Sequence, residues 1–592
     1  MAFKDPTLPP VDPAEFRGRP FFDRIELLTG FWAENGFGSP RVLHLIYLVK
    51  LFVFSLGGGI LVATLTSDVG SPLDVAAWWN EPIVYQKLVL WVALLEVIGI
   101  GGAWGPLTGH FKPMYGGARY WLRPGTIRLP PWPGKVPGTA GDERTVLDAL
   151  LYAGVLTSLA TAILLPGVHS DSLAAATGTA TNGLLVRPLA LIVPVVLLIL
   201  LGLRDRVPFL AARGEQYLPI LIVCATLPFV NMIIALKLVI VTVWVGAAVS
   251  KFGQHFTNVI PPMVSNAPFM PKRERLRQYR DAPRDLRPSK SAWFIAHILG
   301  TTAELVVPVV LLVSTNTTVT LIAVCCIVAF HLFIASTFPL AVPLEWNLLF
   351  AYIAVFLFLG YPAGEGYAVT DFTPIWLLFV LGAALVAFPV LGNLRPDLVS
   401  FLPSMRQYAG NWASAVWALG PGVEERFNDL PIPVQTHNKQ LEALGYPADA
   451  ADMTMSLFVA WRAMHSQGRG LLSVLSNHLG PDLDRYTVRE GEIGANLVVG
   501  WNFGDGHLHN EQLITSIQRR LHFAPGEFLV VWVESQPIHR ADQQYMIVDA
   551  ALGVIERGVW QVADCVSQQP WLPEGPVPYE VTWRSATPEQ AR

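Results

Sequence analysis

Ten mostly apolar stretches follow one another along the first two thirds of the chain, at roughly 42–65, 83–103, 146–166, 187–203, 217–232, 234–252, 293–313, 318–338, 343–360 and 374–392. Each is close to the ~20 residues that an α-helix needs to cross a bilayer. The run from Leu218 to Lys251 is too long for one straight span and predicts two helices joined near Phe229-Val230-Asn231. Ahead of the spans, Phe21, Phe22, Ile25, Leu28 and Trp32 fall at helical spacing. They predict an amphipathic helix, either lying in the membrane interface or packed against protein. From Arg395 onward the pattern becomes that of a water-soluble protein, with Trp412 to Trp417 still read as touching the membrane. Helices are predicted over Ser456–Leu479 and Glu511–His522. Strands are predicted over Asn496–Phe503 and Glu527–Glu534, where Val, Trp and Phe concentrate, with two more at Tyr545–Val548 and Tyr579–Trp583. The fold class is therefore mainly α: a polytopic helical membrane bundle of about ten spans over 41–394. It follows a 1–40 segment carrying the interfacial helix and precedes an α+β domain over 395–592.

Composition agrees. The chain is 52% hydrophobic and 15% charged, against about 25% charged in an average soluble domain. Its net charge of −4 offers no argument for nucleic acid. The N-terminus, polar and proline-rich, lacks the apolar core of a signal peptide. The basic residues alternate between loops. Five precede the first span (Lys4, Arg17, Arg19, Arg24, Arg41), and six follow the second (Lys112, Arg119, Arg123, Arg128, Lys135, Arg144). Three follow the fourth (Arg204, Arg206, Arg213), and eight crowd Lys272–Lys290. The intervening loops near 66–82, 167–186, 314–317, 339–342 and 361–373 have none. This asymmetry predicts a multi-pass protein of the cell (plasma) membrane with both termini cytoplasmic, and requires an even number of spans before Lys272. The four cysteines, Cys224, Cys325, Cys326 and Cys565, show no metal or disulfide spacing and are expected to be buried free thiols.

Several spans carry groups that hydrocarbon does not tolerate without a partner or a function. Lys237, Trp244 and Lys251 recur every seven residues, on one helical face, with His255 one turn later. His297 and Glu304 repeat that spacing in a later span, His331 lies in the next, and Glu345 opens the one after. Lys50, Lys87 and Glu96 lie in the first two spans. One reading is a polar cavity in which a lysine acts as base or cation site while Glu and His relay protons. The other is a set of ion pairs, such as Lys50–Glu96 or Lys237–Glu304, that only fix helix packing. Catalytic candidates are Lys251, Glu304, His331 and His297; Lys237, Trp244 and His255 are candidates for holding a ligand. In the soluble domain, Asp505-Gly506-His507-Leu508-His509-Asn510-Glu511 has metal-ligand residue types but reads better as a surface loop, and no metal site is assigned. No phosphate-loop, dinucleotide, zincin or nucleophile-elbow motif occurs.

Leu236–Phe256, with its Gly246-Ala247-Ala248-Val249-Ser250-Lys251 ending, resembles a helix of the vitamin K-dependent carboxylases and HTTM membrane proteins. Ala303-Glu304-Leu305-Val306-Val307-Pro308, Phe330-His331-Leu332 and Trp346-Asn347 to Phe358 are similar to the helices that follow it there. The motifs cover 236–358. The resemblance implies that Lys251 is a base toward a quinol or similar lipid, with a quinone or bound lipid as cofactor. Two departures stand against carrying the reaction over: the soluble domain is expected on the cytoplasmic side, and no peptide-binding region is found. The chain as a whole also resembles an actinobacterial multi-pass membrane family of unknown function. Two further roles fit the same pattern. One is a lipid transporter, or an accessory subunit of a lipid-transport or envelope assembly. The other is a scaffold whose Lys272–Lys290 loop binds anionic headgroups. Membrane lipids are partners in each case, with a membrane-complex partner or a second copy of the chain in the last two.

Overall fold

The computed structural model describes residues 5–100, 118–337, 344–398, 409–431, 435–501 and 510–585. The principal helices in chain order are α1 (Phe21–Asn35), α2 (Arg41–Leu65), α3 (Pro82–Ile98), α4 (Val146–Leu164), α5 (Pro188–Arg204), α6 (Gly214–Thr226), α7 (Phe229–Ser250) and α8 (Phe256–Asn266). There follow α9 (Lys290–Val313), α10 (Thr317–Ala335), α11 (Glu345–Gly360) and α12 (Ile375–Leu394). The C-terminal region adds α13 (Ala448–Met464), α14 (Ser466–Leu479), α15 (Gly491–Val499) and α16 (Glu511–Leu521).

Among the described residues six helices are long and apolar enough to cross a membrane: α2, α4, α7, α9, α10 and α12. A seventh arises if α11 and Ala363–Asp371, which meet at a 41° bend, count as one span. The expected ten is thus too many by this measure. Helices α3 and α5 have 17 residues each and α6 only 13, short of the ~20 that cross a bilayer unaided, and α3 carries Lys87 and Glu96 besides. The long run before Lys251 does break in two, but at Leu227-Pro228. Proline disfavours helix at the residue before it and lacks an N–H to continue the ladder, so α7 begins on Pro228 as its cap. Helix α7 is the axis of the bundle, with 72% of its apolar stretch buried, whereas only 6% of that of α12 is.

The basic loops are tied down by helix-end carboxylates. Thr145 and Asp148 form a capping box at the start of α4, a device that stabilises by about 1 kcal/mol. Asp148 also takes Arg204 at 2.6 Å, and Arg144 pairs with Asp205 in full burial. Much of the charge in the 272–290 loop is likewise spent within the protein: Lys272 reaches Glu34 at 2.7 Å, Arg287 reaches Asp285 at 2.6 Å and Arg284 reaches Asp281 at 2.9 Å.

The C-terminal region is built on an antiparallel six-stranded sheet of β1 (Ser414–Leu419), β2 (Thr487–Glu490), β3 (Phe528–Val533), β4 (Asp542–Asp549), β5 (Gly553–Gln561) and β6 (Tyr579–Arg584), in the order β6-β5-β4-β3-β1-β2. Three predicted strands are present. Trp412 to Trp417 does not touch lipid: Trp412 is buried, and Ser414 onward forms β1, whose residues are all buried between β2 and β3, with Ala415 opposite Trp532 and Leu419 opposite Phe528. The predicted strand at 496–503 is a helix up to Val499: Glu490 caps α15 by accepting from Ile493 N at 3.1 Å. Gly491 and Gly494 let α15 lie on β1, where a Cβ would come within 2.7 Å of Ala415 and 2.6 Å of Trp417. The helix expected over 456–479 is two, α13 and α14, hinged at His465.

Bundle and C-terminal region are joined over a broad front. The apolar face of α1 is covered by protein rather than left open: it packs on α13 and α8, Trp32 Nε1 donates to Pro262 O at 3.1 Å, and Phe37 meets the Phe458 ring at 4.8 Å. Tyr120 Oη donates to Leu497 O at 2.7 Å and Trp121 Nε1 to Val499 O at 3.1 Å, clamping the loop after α3 onto α15. Gly500, at φ +81°, makes this possible, because a Cβ there would fall 2.3 Å from the Tyr120 ring. Gly500→Ala should therefore cost at least about 1–2 kcal/mol for the left-handed backbone alone, and more as Tyr120 is displaced. A lowered melting temperature together with new protease cleavage in 118–145 is the expected readout.

Candidate functional site

The seven-residue stripe of α7 meets three separate partners. Lys237 is buried and donates to two backbone carbonyls, Tyr361 O at 2.7 Å and Tyr367 O at 2.9 Å, in the bend after α11. Trp244 Nε1 donates to His331 Nε2 on α10 at 2.9 Å. Lys251, at the C-terminal cap of α7, donates to Glu304 Oε2 on α9. Both members of that pair are 4% exposed. The expected Lys237–Glu304 and Lys50–Glu96 pairs do not form. Lys50 pairs instead with Glu345 at 3.0 Å, also in full burial. Glu96 accepts from Tyr217 Oη at 3.3 Å and lies 3.8 Å from Arg213. Lys87 takes the carbonyls of Thr66 and Leu165, at the ends of two other helices.

Around Lys251 and Glu304 the bundle encloses a cavity of about 510 Å³, walled by α7, α8, α9, α10 and α11. Its lining is apolar apart from that ion pair and a small polar group of Trp244, His331 and Asn347. The Lys251 ammonium lies 5.4 Å from the Phe256 ring centre and 5.8 Å from that of Phe330, which gives a desolvated cation a second, weaker source of stabilisation. His331 is held in one form. An indole N–H can only donate, so Nε2 accepts from Trp244, and Nδ1 carries the proton and donates to Asn347 Oδ1 at 3.0 Å. With both nitrogens engaged, His331 positions the wall and is not placed to relay a proton.

His297 stands apart. Seven residues before Glu304, it was expected on the same face, but Ile295–Thr301 is wound as a π-helix. One extra residue turns the helix by about 100° relative to a regular α ladder. His297 consequently lies half-buried outside the cavity, at 3.0 Å from Thr257 Oγ1, with the Trp293 and Phe256 rings beside it. The hydroxyls of Thr301 and Thr302 bond to carbonyls five residues back, at 3.1 and 2.8 Å, and secure the wide turn.

His255 is not in the lining of this cavity. It is buried where the bundle meets the C-terminal region, with Ser466 Oγ at 2.7 Å from Nδ1 and Gln536 Oε1 at 2.5 Å from Nε2. Gln536 Nε2 already donates to Arg540 O and Asp542 O, so its oxygen faces His255, which donates from Nε2 and accepts the Ser466 hydroxyl. Burial pushes the imidazole pKa down to about 4. Sequence reading found neither partner, because both lie more than two hundred residues away. It also passed over Arg462, buried with Glu490 at 2.5 Å and Glu492 at 3.0 Å beneath the Trp412 ring.

Among the described residues no group of His, Cys, Asp and Glu could hold a metal ion. The cluster at 505–511 lies outside them except for Asn510 and Glu511, the latter 3.3 Å from Arg557. The expectation of buried thiols holds for Cys224 and Cys565 but not for Cys325 and Cys326, which are exposed on α10.

Two outcomes follow from these contacts. Glu304→Gln leaves the Lys251 charge unpaired in an apolar wall and should cost about 3–5 kcal/mol. Lys251→Met/Glu304→Leu should recover most of that stability in thermal unfolding in detergent. His255 is neutral in the folded protein, with its pKa below the unfolded value of about 6.5. Its contribution is therefore full above that value and is lost as pH falls toward about 4. A His255→Asn protein should show a flatter dependence of melting temperature on pH across that window.

No curated protein and no solved structure matches the chain, so the likeness to the vitamin K-dependent carboxylases rests on its short motifs. One family does match, over residues 1–582: the chain belongs to the family described as "Transmembrane protein of unknown function (DUF3556)".

Proposed function

We propose that this integral membrane protein is an enzyme acting on a quinone or another lipid held in the Lys251–Glu304 cavity, with Lys251 as the base. The observation that carries this reading is the cavity itself: about 510 Å³ of mostly apolar space around one ion pair buried between membrane helices. Pure packing would not leave space beside such a pair. Passing the ammonium proton to the carboxylate turns two charges into an amine and an acid, with no net charge added to the hydrocarbon. The free amine can then take a proton from a hydroxyl of the bound molecule. With the shorter helices α3, α5 and α6 crossing beside α2, α4 and α7, six spans precede Lys272, and the alternation of basic loops then supports a cell-membrane location with both termini in the cytoplasm.

Lys251→Arg separates binding from chemistry. Guanidinium preserves the pairing with Glu304 but is not deprotonated in proteins. When purified protein is incubated with a membrane-lipid extract that includes quinones and followed by mass spectrometry, wild type should deplete one species and form a product. Lys251→Arg should retain that species bound and unconverted. Conversion at the wild-type rate by Lys251→Arg would overturn the base.

A second reading, lipid transport or service in a lipid-transport or envelope assembly, draws on one feature. The 41° bend after α11 exposes backbone carbonyls that hold Lys237 inside the bundle, and broken helices with buried charge at the break recur in transporters.

A further inference from the structure

Helices α9 and α10 wall the cavity and also form part of the outside of the bundle, since only a third of the apolar stretch of each is buried. Leu299 on α9 and Cys326 and Ala329 on α10 line the cavity and are exposed as well. Bordering the cavity and exposed at once, they make the seam of the two helices a thin part of its wall. Small side chains keep it thin: Ala303 on one side, Cys326 and Ala329 on the other. Cys326 stands midway along α10, roughly 13 Å from either end at about 1.5 Å per residue, which is the depth of the hydrocarbon core. What passes there is dissolved in lipid.

The charge inside limits what can stay. Lys251 and Glu304 cancel each other. An ionised headgroup would add a charge with no counter-charge among the lining residues, at a cost of several kcal/mol. An uncharged oxygen suits the site: a carbonyl or hydroxyl accepts from the lysine, and a hydroxyl also donates to the carboxylate.

We propose that the cavity takes its ligand sideways from the bilayer through the α9–α10 seam, and that this ligand is a lipid with an uncharged hydroxyl or carbonyl head. The proposal rests on the cavity being a ligand site but not on Lys251 acting as a base.

The test uses the full chain in nanodiscs with three photoreactive probes that share one diazirine-bearing chain: hexadecanol, hexadecyl phosphate and hexadecyltrimethylammonium. Hexadecanol should cross-link saturably to peptides of α9 and α10, at least about tenfold more than either charged probe, about 1.4 kcal/mol of preference. Equal labelling by a charged probe would overturn the uncharged head, on wild-type protein alone. Ala329→Trp should lower hexadecanol labelling, while Leu332→Trp, exposed on the same helix but off the cavity, should not. Unchanged labelling in Ala329→Trp would overturn the lateral opening. Labelling is read on wild-type protein without turnover, whereas the base is read from conversion by Lys251→Arg, so the two ideas fall separately.

Discussion

A charge in hydrocarbon must be met by something, and most of this bundle's polar architecture answers that demand. Insertion into the middle of a span costs about 2.5–3.5 kcal/mol for a lysine or aspartate, more than most single packing contacts return. Four intramembrane lysines are satisfied in two ways. Lys50 and Lys251 take carboxylates on other helices, Glu345 and Glu304. Lys87 and Lys237 take backbone carbonyls where helices end or bend. The second solution is available only where the ladder has stopped and carbonyls are free. The bend after α11 and the end of α2 at Thr66 are therefore counterparts of the lysines, not incidental irregularities.

The four differ in what surrounds them. Lys237 is covered by rings and carbonyls, with Phe358 and Tyr367 near its ammonium, and the main cavity does not reach it. Lys50 and Glu345 close against each other away from that cavity. The Lys251–Glu304 pair has space beside it, and that space is walled largely by aromatic and aliphatic side chains. A pair meant only to fix helix packing gains nothing from an adjoining void, since unfilled volume forfeits dispersion contacts. The void is what sets this pair apart.

Much of this could be read from the chain, and what could not has definable causes. Hydropathy finds where apolar helices lie and that two of them meet near Phe229, but not that α6 stops at 13 residues or that Pro228 makes the cap. The seven-residue stripe correctly places Lys237, Trp244 and Lys251 in the interior. It does not choose their partners, because carboxylates on several spans satisfy the same rule and only packing selects one. His297 was lost for a different reason: a π turn shifts the phase of a helix without leaving a mark in the hydrophobic pattern. Strand β1 was missed because, buried on both faces, it shows no alternation of polar and apolar positions.

The C-terminal region is better understood as part of the same machine than as an appendage. The helix that ends in Lys251 is followed within four residues by His255, and His255 is fixed from the far side by Ser466 and Gln536. Lining residues Phe256, Val259, Ile260 and Met263 come next on α8, and α8 also packs on α1 and α13. One wall of the cavity is thereby set by an element whose cap, His255, is bonded to the C-terminal domain and whose flank rests on α13 of that domain. A displacement of that domain cannot leave Phe256 and its cation contact with Lys251 unchanged. The sequence separates bundle and domain at a sharp change of composition; among the contacts that join them are those beside the Lys251–Glu304 cavity.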